Sequence, residues 1–203
     1  MPILMHRTYL LLAWLACWLS GGLPLLPAQT LRYDVIRQDE SIGQMTVTRS
    51  RMGTAERIRS DMSVEVTFLI TVSLRFTYEA EYERGRLVQA LVRNYRNGTL
   101  RDETRIEQQA DGQLRITRDG ESETVAGPVQ YTILQAYFQP PDMRQQVFSE
   151  RWGRYQPFTL LEDGRYVMYV ANGDKSYYTY QDGQCEEIEL DMSLATLYLR
   201  RQP

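Results

Sequence analysis

From Met62 to Tyr82 every even position is apolar or aromatic: Met62, Val64, Val66, Phe68, Ile70, Val72, Leu74, Phe76, Tyr78, Ala80 and Tyr82. Most odd positions are polar, among them Ser63, Glu65, Thr67, Thr71, Arg75, Glu79 and Glu81, with Leu69 the exception. A period of two places alternate side chains on opposite faces of a β-strand. No Gly, Pro, Asn or Asp interrupts the run. One strand of that length would reach about 66 Å at roughly 3.3 Å per residue. Either the strand is long and strongly coiled, or two strands meet near Leu69-Ile70-Thr71 in a bend that keeps the parity. Both readings give one continuous apolar and aromatic sheet face.

Other strands fit around it. Leu31–Arg37 alternates through Leu31, Tyr33 and Val35, and Ser41–Arg51 carries Met45 and Val47. Arg86–Arg96 follows a turn at Gly85, while Thr99–Gln108 and Gln113–Arg118 have the polar composition of an exposed hairpin. Phe158–Glu162, Arg165–Ala171, Ser176–Gln181, Cys185–Asp191 and Ser193–Arg200 form a closing meander. Six turn dipeptides punctuate the chain: Asn97-Gly98, Asp111-Gly112, Asp119-Gly120, Asp163-Gly164, Asn172-Gly173 and Asp182-Gly183. Asn-Gly and Asp-Gly mark hairpins because the tight turns that match strand twist need positive φ. The sum is about ten antiparallel strands.

Pro128 to Trp152 breaks the rhythm. After Pro128 and a turn over Gly120–Gly127, Tyr131, Leu134 and Phe138, with Ile133 and Tyr137, have helical spacing, and Pro140-Pro141 ends it. Met143, Val147 and Phe148 suggest a second short helix. Such helices need an apolar surface, and the sheet face is the obvious one. The predicted fold is mainly β: an antiparallel meander forming a half-barrel or open barrel, with one or two short helices on its concave face.

The first residues do not share this pattern. Arg7 precedes an apolar run from Tyr9 to Leu19, followed by Ser20-Gly21-Gly22 and Leu26-Pro27-Ala28. A basic start, a short apolar core and small residues describe a secretory signal peptide. Gly21, Gly22 and Pro24 leave the run short for a membrane span. We place the leader at 1–29, with cleavage after Gly22 or Ala28 left open, and one domain over 30–203. No later stretch would span a membrane as a helix, and the exported chain is expected in the periplasm or outside the cell.

Removing the leader changes the chemistry available. About 175 residues remain, without His6, Cys17, Trp14 or Trp18, so the mature chain has no histidine, one cysteine (Cys185) and one tryptophan (Trp152). Histidine-dependent triads, dyads and metal sites are excluded, as are an intramolecular disulfide and a Cys-only zinc site. Lys175 is the only lysine, which disfavours Schiff-base chemistry. The full chain has 23 basic and 26 acidic residues, so there is no basic excess for nucleic acid. No cofactor is expected.

The opening Tyr33-Asp-Val-Ile and Ile42-Gly43, the run Met62–Tyr82, the insertion 128–152 and the closing Tyr177–Arg200 together resemble secreted bacterial half-barrel proteins. These include the LolA-type and LppX-type carriers of lipids and lipoproteins and related families, the nearest being a family of unknown function. The resemblance implies a concave apolar sheet under a helical lid. It carries over no functional residue.

The candidate ligand-binding face is Val66, Phe68, Ile70, Val72, Leu74, Phe76 and Tyr78, with Tyr137 and Phe138 from the helix and Trp152 beyond it. The competing reading is that the helices fill this face as an ordinary core. A tyrosine group (Tyr166, Tyr169, Tyr177, Tyr178, Tyr180, Tyr198) is read as strand packing rather than a stacking site. Glu187, Glu189 and Asp191 share one strand face, read as a solvated face paired with arginines rather than a Ca²⁺ site. The expected activity is non-enzymatic binding of a lipid, a lipoprotein or another apolar ligand. The alternatives are an envelope structural or interaction module with a protein partner and, less favoured, a carboxylate-based hydrolase.

Overall fold

The computed structural model describes residues 28–67, 70–142, 146–170, 172–193 and 195–203. Nearly all of the expected leader, and Phe68, lie outside the described residues. The described chain forms β1 (Gln29–Arg37), β2 (Glu40–Met52), β3 (Ala55–Thr67), β4 (Thr71–Glu83), β5 (Arg86–Arg96), β6 (Thr99–Gln108), β7 (Leu114–Arg118) and β8 (Glu121–Val125). A single helical turn follows, α1 (Ile133–Ala136). Then come β9 (Gln146–Ser149), β10 (Arg154–Leu160), β11 (Tyr166–Tyr169), β12 (Lys175–Gln181), β13 (Gln184–Met192) and β14 (Ala195–Arg201).

The spatial order runs from β8 back to β1, then from β14 back to β9. Every hairpin is antiparallel, and β1 pairs with β14 through Tyr33↔Arg201 and Val35↔Leu199. The sheet is an open barrel whose edges are β8 and β9. The Met62–Tyr82 run is two strands meeting in a hairpin, with Val66 opposite Val72, Val64 opposite Leu74 and Met62 opposite Phe76. Even residues face even residues, so the apolar face of β3 continues on β4.

The six expected turns divide into two kinds. Asn97-Gly98, Asp119-Gly120 and Asp182-Gly183 are two-residue turns with both φ values positive. The others close five-residue loops of one design. Gln109 N–H donates to Gln113 O, Leu161 N–H to Arg165 O and Val170 N–H to Asp174 O. In each, the Asp111, Asp163 or Asn172 side chain accepts a backbone N–H two residues on.

Fourteen strands replace the expected ten or so. Two are gained where the pattern was short. Residues 121–125, expected within a turn, form β8. Val147 and Phe148, expected in a second helix, form β9, while Met143 lies outside the described residues. Apolar neighbours at 147 and 148 fit either period, and pairing with β10 decides it. The first helix is only the four residues of α1. The hairpin β6–β7 is less exposed than its composition suggests, since Thr104, Ile106, Leu114 and Ile116 are buried.

The segment between β8 and β9 crosses the inner face instead of passing outside. Val129, Tyr131, Leu134, Ala136 and Phe138 are buried with inner-face residues Tyr33, Val47, Ile58, Tyr82, Ile106 and Ile188. Buried backbone needs partners, and strand amides are already used in the ladder. Strand ends and tyrosine hydroxyls supply them. Leu87 N–H donates to Val129 O at 2.9 Å, Phe148 N–H to Tyr131 O at 3.1 Å and Cys185 N–H to Tyr137 O at 3.1 Å. Tyr180 donates to Ala136 O at 2.8 Å, and Tyr131 donates to Gln139 O at 2.8 Å. The Tyr82 and Thr132 hydroxyls share a bond of 2.6 Å. Burial pushes the Tyr82 and Tyr180 phenols upward, so both remain neutral.

Two substitutions test this account. Tyr180→Phe leaves Ala136 O without its donor and should cost about 1–3 kcal/mol in urea unfolding. Gly43 faces Ser63 O so closely that a Cβ would stand 2.1 Å from it. Gly43→Ala should therefore cost about 1–3 kcal/mol, read by the same unfolding curve, because backbone rather than a flexible side chain must move.

Candidate functional site

Strand register sets the levels of the inner face, since cross-strand partners share a face. One level joins Leu31, Val47, Ser60, Tyr78, Val92, Thr104 and Arg118. The next, toward the β3–β4 tip, joins Tyr33, Met45, Met62, Phe76, Asn94 and Asp102. The crossing segment reaches up to Tyr137, whose ring is 5.9 Å from that of Tyr33 and whose hydroxyl is 3.7 Å from Met45 Sδ. Above it on β3 and β4, Met62, Val66, Val72, Leu74 and Phe76 stay only half-buried. Leu190 and Leu197, paired across β13 and β14, are half-buried too.

This divides the expected ligand face. Val66, Val72, Leu74 and Phe76 form a half-buried apolar lip around the buried Val64, with Val66 and Leu74 touching the core along one side. Tyr78 is half-buried beside the polar wall described below, and Ile70, at the hairpin tip, is 69% exposed. Tyr137 and Phe138 pack into the interior, with the Arg49 guanidinium 5.1 Å from the Phe138 ring centre. The lower part of the concave face is thus filled core, and the expectation of one continuous ligand face does not hold there.

Trp152 stands apart from the lip residues, at the seam between the two ends of the sheet. Thr104 on β6 donates to Arg151 O at 2.9 Å, and Gly153 rests on Ile116 of β7. A Cβ at Gly153, where φ is +64°, would come 2.6 Å from Ile116 Cγ2. Guanidinium carbons of Arg118, Arg151 and Arg154 lie 5.7, 5.3 and 6.0 Å from the Trp152 ring centre. Arg118 belongs to β7 and Arg154 to β10, so side chains bridge a gap that no ladder crosses. The sequence run Arg151-Trp152-Gly153-Arg154 carried this signal, whereas Arg118 needed the register.

On the same wall, Asn94 is buried and donates to Asp102 at 2.6 Å, leaving its Oδ1 without a hydrogen-bond partner. Arg151 faces the Tyr78 phenol, its charge partly offsetting the upward push of burial. Glu150, fully buried, accepts from Leu134 N–H at 3.2 Å, and its Oε2 has no partner. Burial raises the Glu150 carboxyl above its ordinary 4.5, while the Thr132 hydroxyl and the Ile133 and Leu134 amides pull it partly back. Glu150 therefore holds α1 to the turn before Trp152.

The remaining sequence candidates separate by strand alternation. Tyr166, Tyr178 and Tyr180 turn inward and, with Phe158, form edge and tilted ring contacts at 5.0–5.6 Å. Tyr169, Tyr177 and Tyr198 turn outward under Lys175, Arg165 and Arg200. Glu187 pairs with Arg200 and Glu189 with Arg165, while Asp191 is exposed. Glu186 pairs with Arg201 at 2.6 Å. Cys185 is buried, and burial pushes its thiol up, which makes it a poor nucleophile.

The fold defines a β-barrel-like protein. The chain belongs to the family described as Domain of unknown function (DUF6134), whose model matches residues 33–202. A similar solved structure is the crystal structure of a β-barrel-like protein of domain of unknown function DUF1849 from Brucella abortus. It has a TM-score of 0.54 and 10% sequence identity, over 89% of this chain and 97% of that one. At that identity the likeness concerns the fold. Comparison with curated proteins gave no match.

Glu150 gives a pH test. Its native carboxyl binds a proton more tightly than the unfolded one, so stability falls as pH rises from 4.5 toward the raised native value and is flat below 4.5. Glu150→Gln keeps the acceptor for Leu134 and removes the charge. Its stability relative to the parent should rise with pH above 4.5 and be level below it, as measured by urea unfolding across pH 4–8.

Proposed function

We propose that this protein is an exported, non-enzymatic binding protein that takes an apolar ligand at the rim of its open barrel. The observation that carries the reading is the half-buried lip of Met62, Val66, Val72, Leu74 and Phe76, inward-facing yet only partly covered by the core. An inward apolar surface of this kind gains free energy when covered, at about 25 cal/mol per Å². The resemblance to lipid-carrying half-barrels points to the same ligand class, and the apolar segment after Arg7 supports export. Binding fits better than catalysis because Glu186, Glu187 and Glu189 each answer an arginine.

A second reading has its own observation. The crossing segment fills the lower concave face, as expected of an envelope interaction module with a complete core. The two readings differ in what occupies the rim: a small apolar molecule or a protein side chain.

The test is native mass spectrometry of the protein purified from its own host, followed by extraction and identification of bound molecules. A stoichiometric apolar adduct is expected. A bare mass together with a co-purifying protein would favour the module instead. The cross-strand pair Val66 and Val72 tests the location. Val66→Ser/Val72→Ser should weaken ligand binding roughly tenfold or more, since each valine covered by ligand contributes about 1 kcal/mol. The unfolding midpoint should change little, because neither side chain is fully buried.

A further inference from the structure

Several arginines of the outer sheet face are answered by carboxylates: Arg57 by Glu81, Arg59 by Asp61 and Glu79, Arg93 by Glu103. Those around Trp152 are not. Arg118, Arg151 and Arg154 converge on one indole, and none takes part in an ion pair among the described residues. The acidic groups near them make no ion pair with these three arginines. Asp102 holds Asn94, Glu150 is turned to α1, and Glu121 is the exposed cross-strand neighbour of Arg118. Among the described residues no carboxylate is in ion-pair contact with any of these three guanidinium groups, which leaves their N–H donors open to an added anion.

The apolar lip adjoins this cluster. Phe76 of the lip is the cross-strand partner of Asn94, and Tyr78, one level on, faces Arg151. Thr104 and Arg118 continue the Tyr78 level. Along the inner face an apolar wall on β3 and β4 thus gives way to a polar boundary at Asn94 and then to three guanidinium groups. The unpartnered Asn94 Oδ1 leaves that boundary short of a donor.

From this juxtaposition we propose that the rim ligand is a long-chain amphiphile with an anionic head group, its chain on Val66, Val72, Leu74 and Phe76 and its head on Arg118, Arg151 and Arg154 beside Trp152. The proposal rests on the binding reading above and adds the head-group chemistry. Guanidinium groups offer paired N–H donors matched to phosphate or carboxylate oxygens. Arg118 and Arg154 lie on opposite ends of the sheet, so one head group would also draw the seam together.

The full-length chain is titrated with dodecyl phosphate, dodecanol and inorganic phosphate. Calorimetry and tryptophan fluorescence are the readouts, with Trp152→Phe separating the Trp152 signal from those of Trp14 and Trp18. Dodecyl phosphate should bind about tenfold or more tighter than dodecanol, as expected for charge-assisted hydrogen bonds at the head. Arg118→Ser/Arg154→Ser alters two exposed residues, and it should bring dodecyl phosphate affinity down to that of dodecanol. Equal affinity for the two alkyl ligands, or a double variant that keeps the tenfold preference, would overturn the head-group assignment and leave the apolar-rim reading intact. Inorganic phosphate binding as tightly as dodecyl phosphate would overturn the amphiphile in favour of a free anion site. Failure of both alkyl ligands to bind would overturn the rim reading itself. The comparison of head groups on the parent chain holds even if the variant folds poorly.

Discussion

The structure depends on how the backbone of the crossing segment, buried at most positions from 129 to 138, is satisfied. An apolar sheet face of this extent must be covered, and a peptide laid across it brings its own carbonyls and amides into a region without water. The sheet amides are committed to neighbouring strands, so donors must project from side chains or strand termini. Tyrosine suits this task because it adds apolar area and ends in a hydroxyl. Tyr180 and Tyr131 donate to the crossing segment, Tyr82 meets Thr132, and Leu87 and Cys185 lend amides from strand ends. The 14 tyrosines of the chain are therefore more than strand formers.

That arrangement also determines where the interior stops being core. The crossing segment is anchored near Tyr33, Met45 and Cys185, and the hairpin β3–β4 extends beyond it. The half-buried lip is the part of a long hairpin that its cover reaches only in part. Glu150 binds α1 from one side while Trp152, two residues on, lies across the gap between β7 and β10. One short turn therefore fixes the internal segment and joins the sheet ends.

The period-two run, the turn dipeptides and the Pro-flanked insertion made the meander and its filling segment legible in the sequence. The parity-keeping bend near Leu69-Ile70-Thr71 is the β3–β4 hairpin. What could not be read locally was decided by partners distant in sequence. Val147 and Phe148 fit a helix until pairing with Tyr155 and Gln156 makes them a strand. Glu121–Val125 is polar and nearly all exposed, so no alternation marks it; β7 supplies its ladder. Of the candidate site, the apolar half was visible as the even positions of 66–76. The burial of Phe138 and Tyr137 was not, because helical spacing tells that a residue faces something but not whether a ligand or a sheet. Arg118 joined Trp152 only through register, across 34 positions of chain.

A closed barrel has a circumference set by its strand number and stagger, which must agree around the ring. This barrel escapes that arithmetic. Its edge strands, β8 and β9, share no hydrogen-bond ladder with each other among the described residues, and the turn between β9 and β10 meets β6 and β7 through an indole, a threonine hydroxyl and a glycine contact. Its girth is therefore a matter of side-chain size at one seam, adjustable by degrees. Larger or smaller residues around Trp152 would open or tighten the curl of the sheet without breaking a single strand pair, a freedom that a fully laddered cylinder does not have.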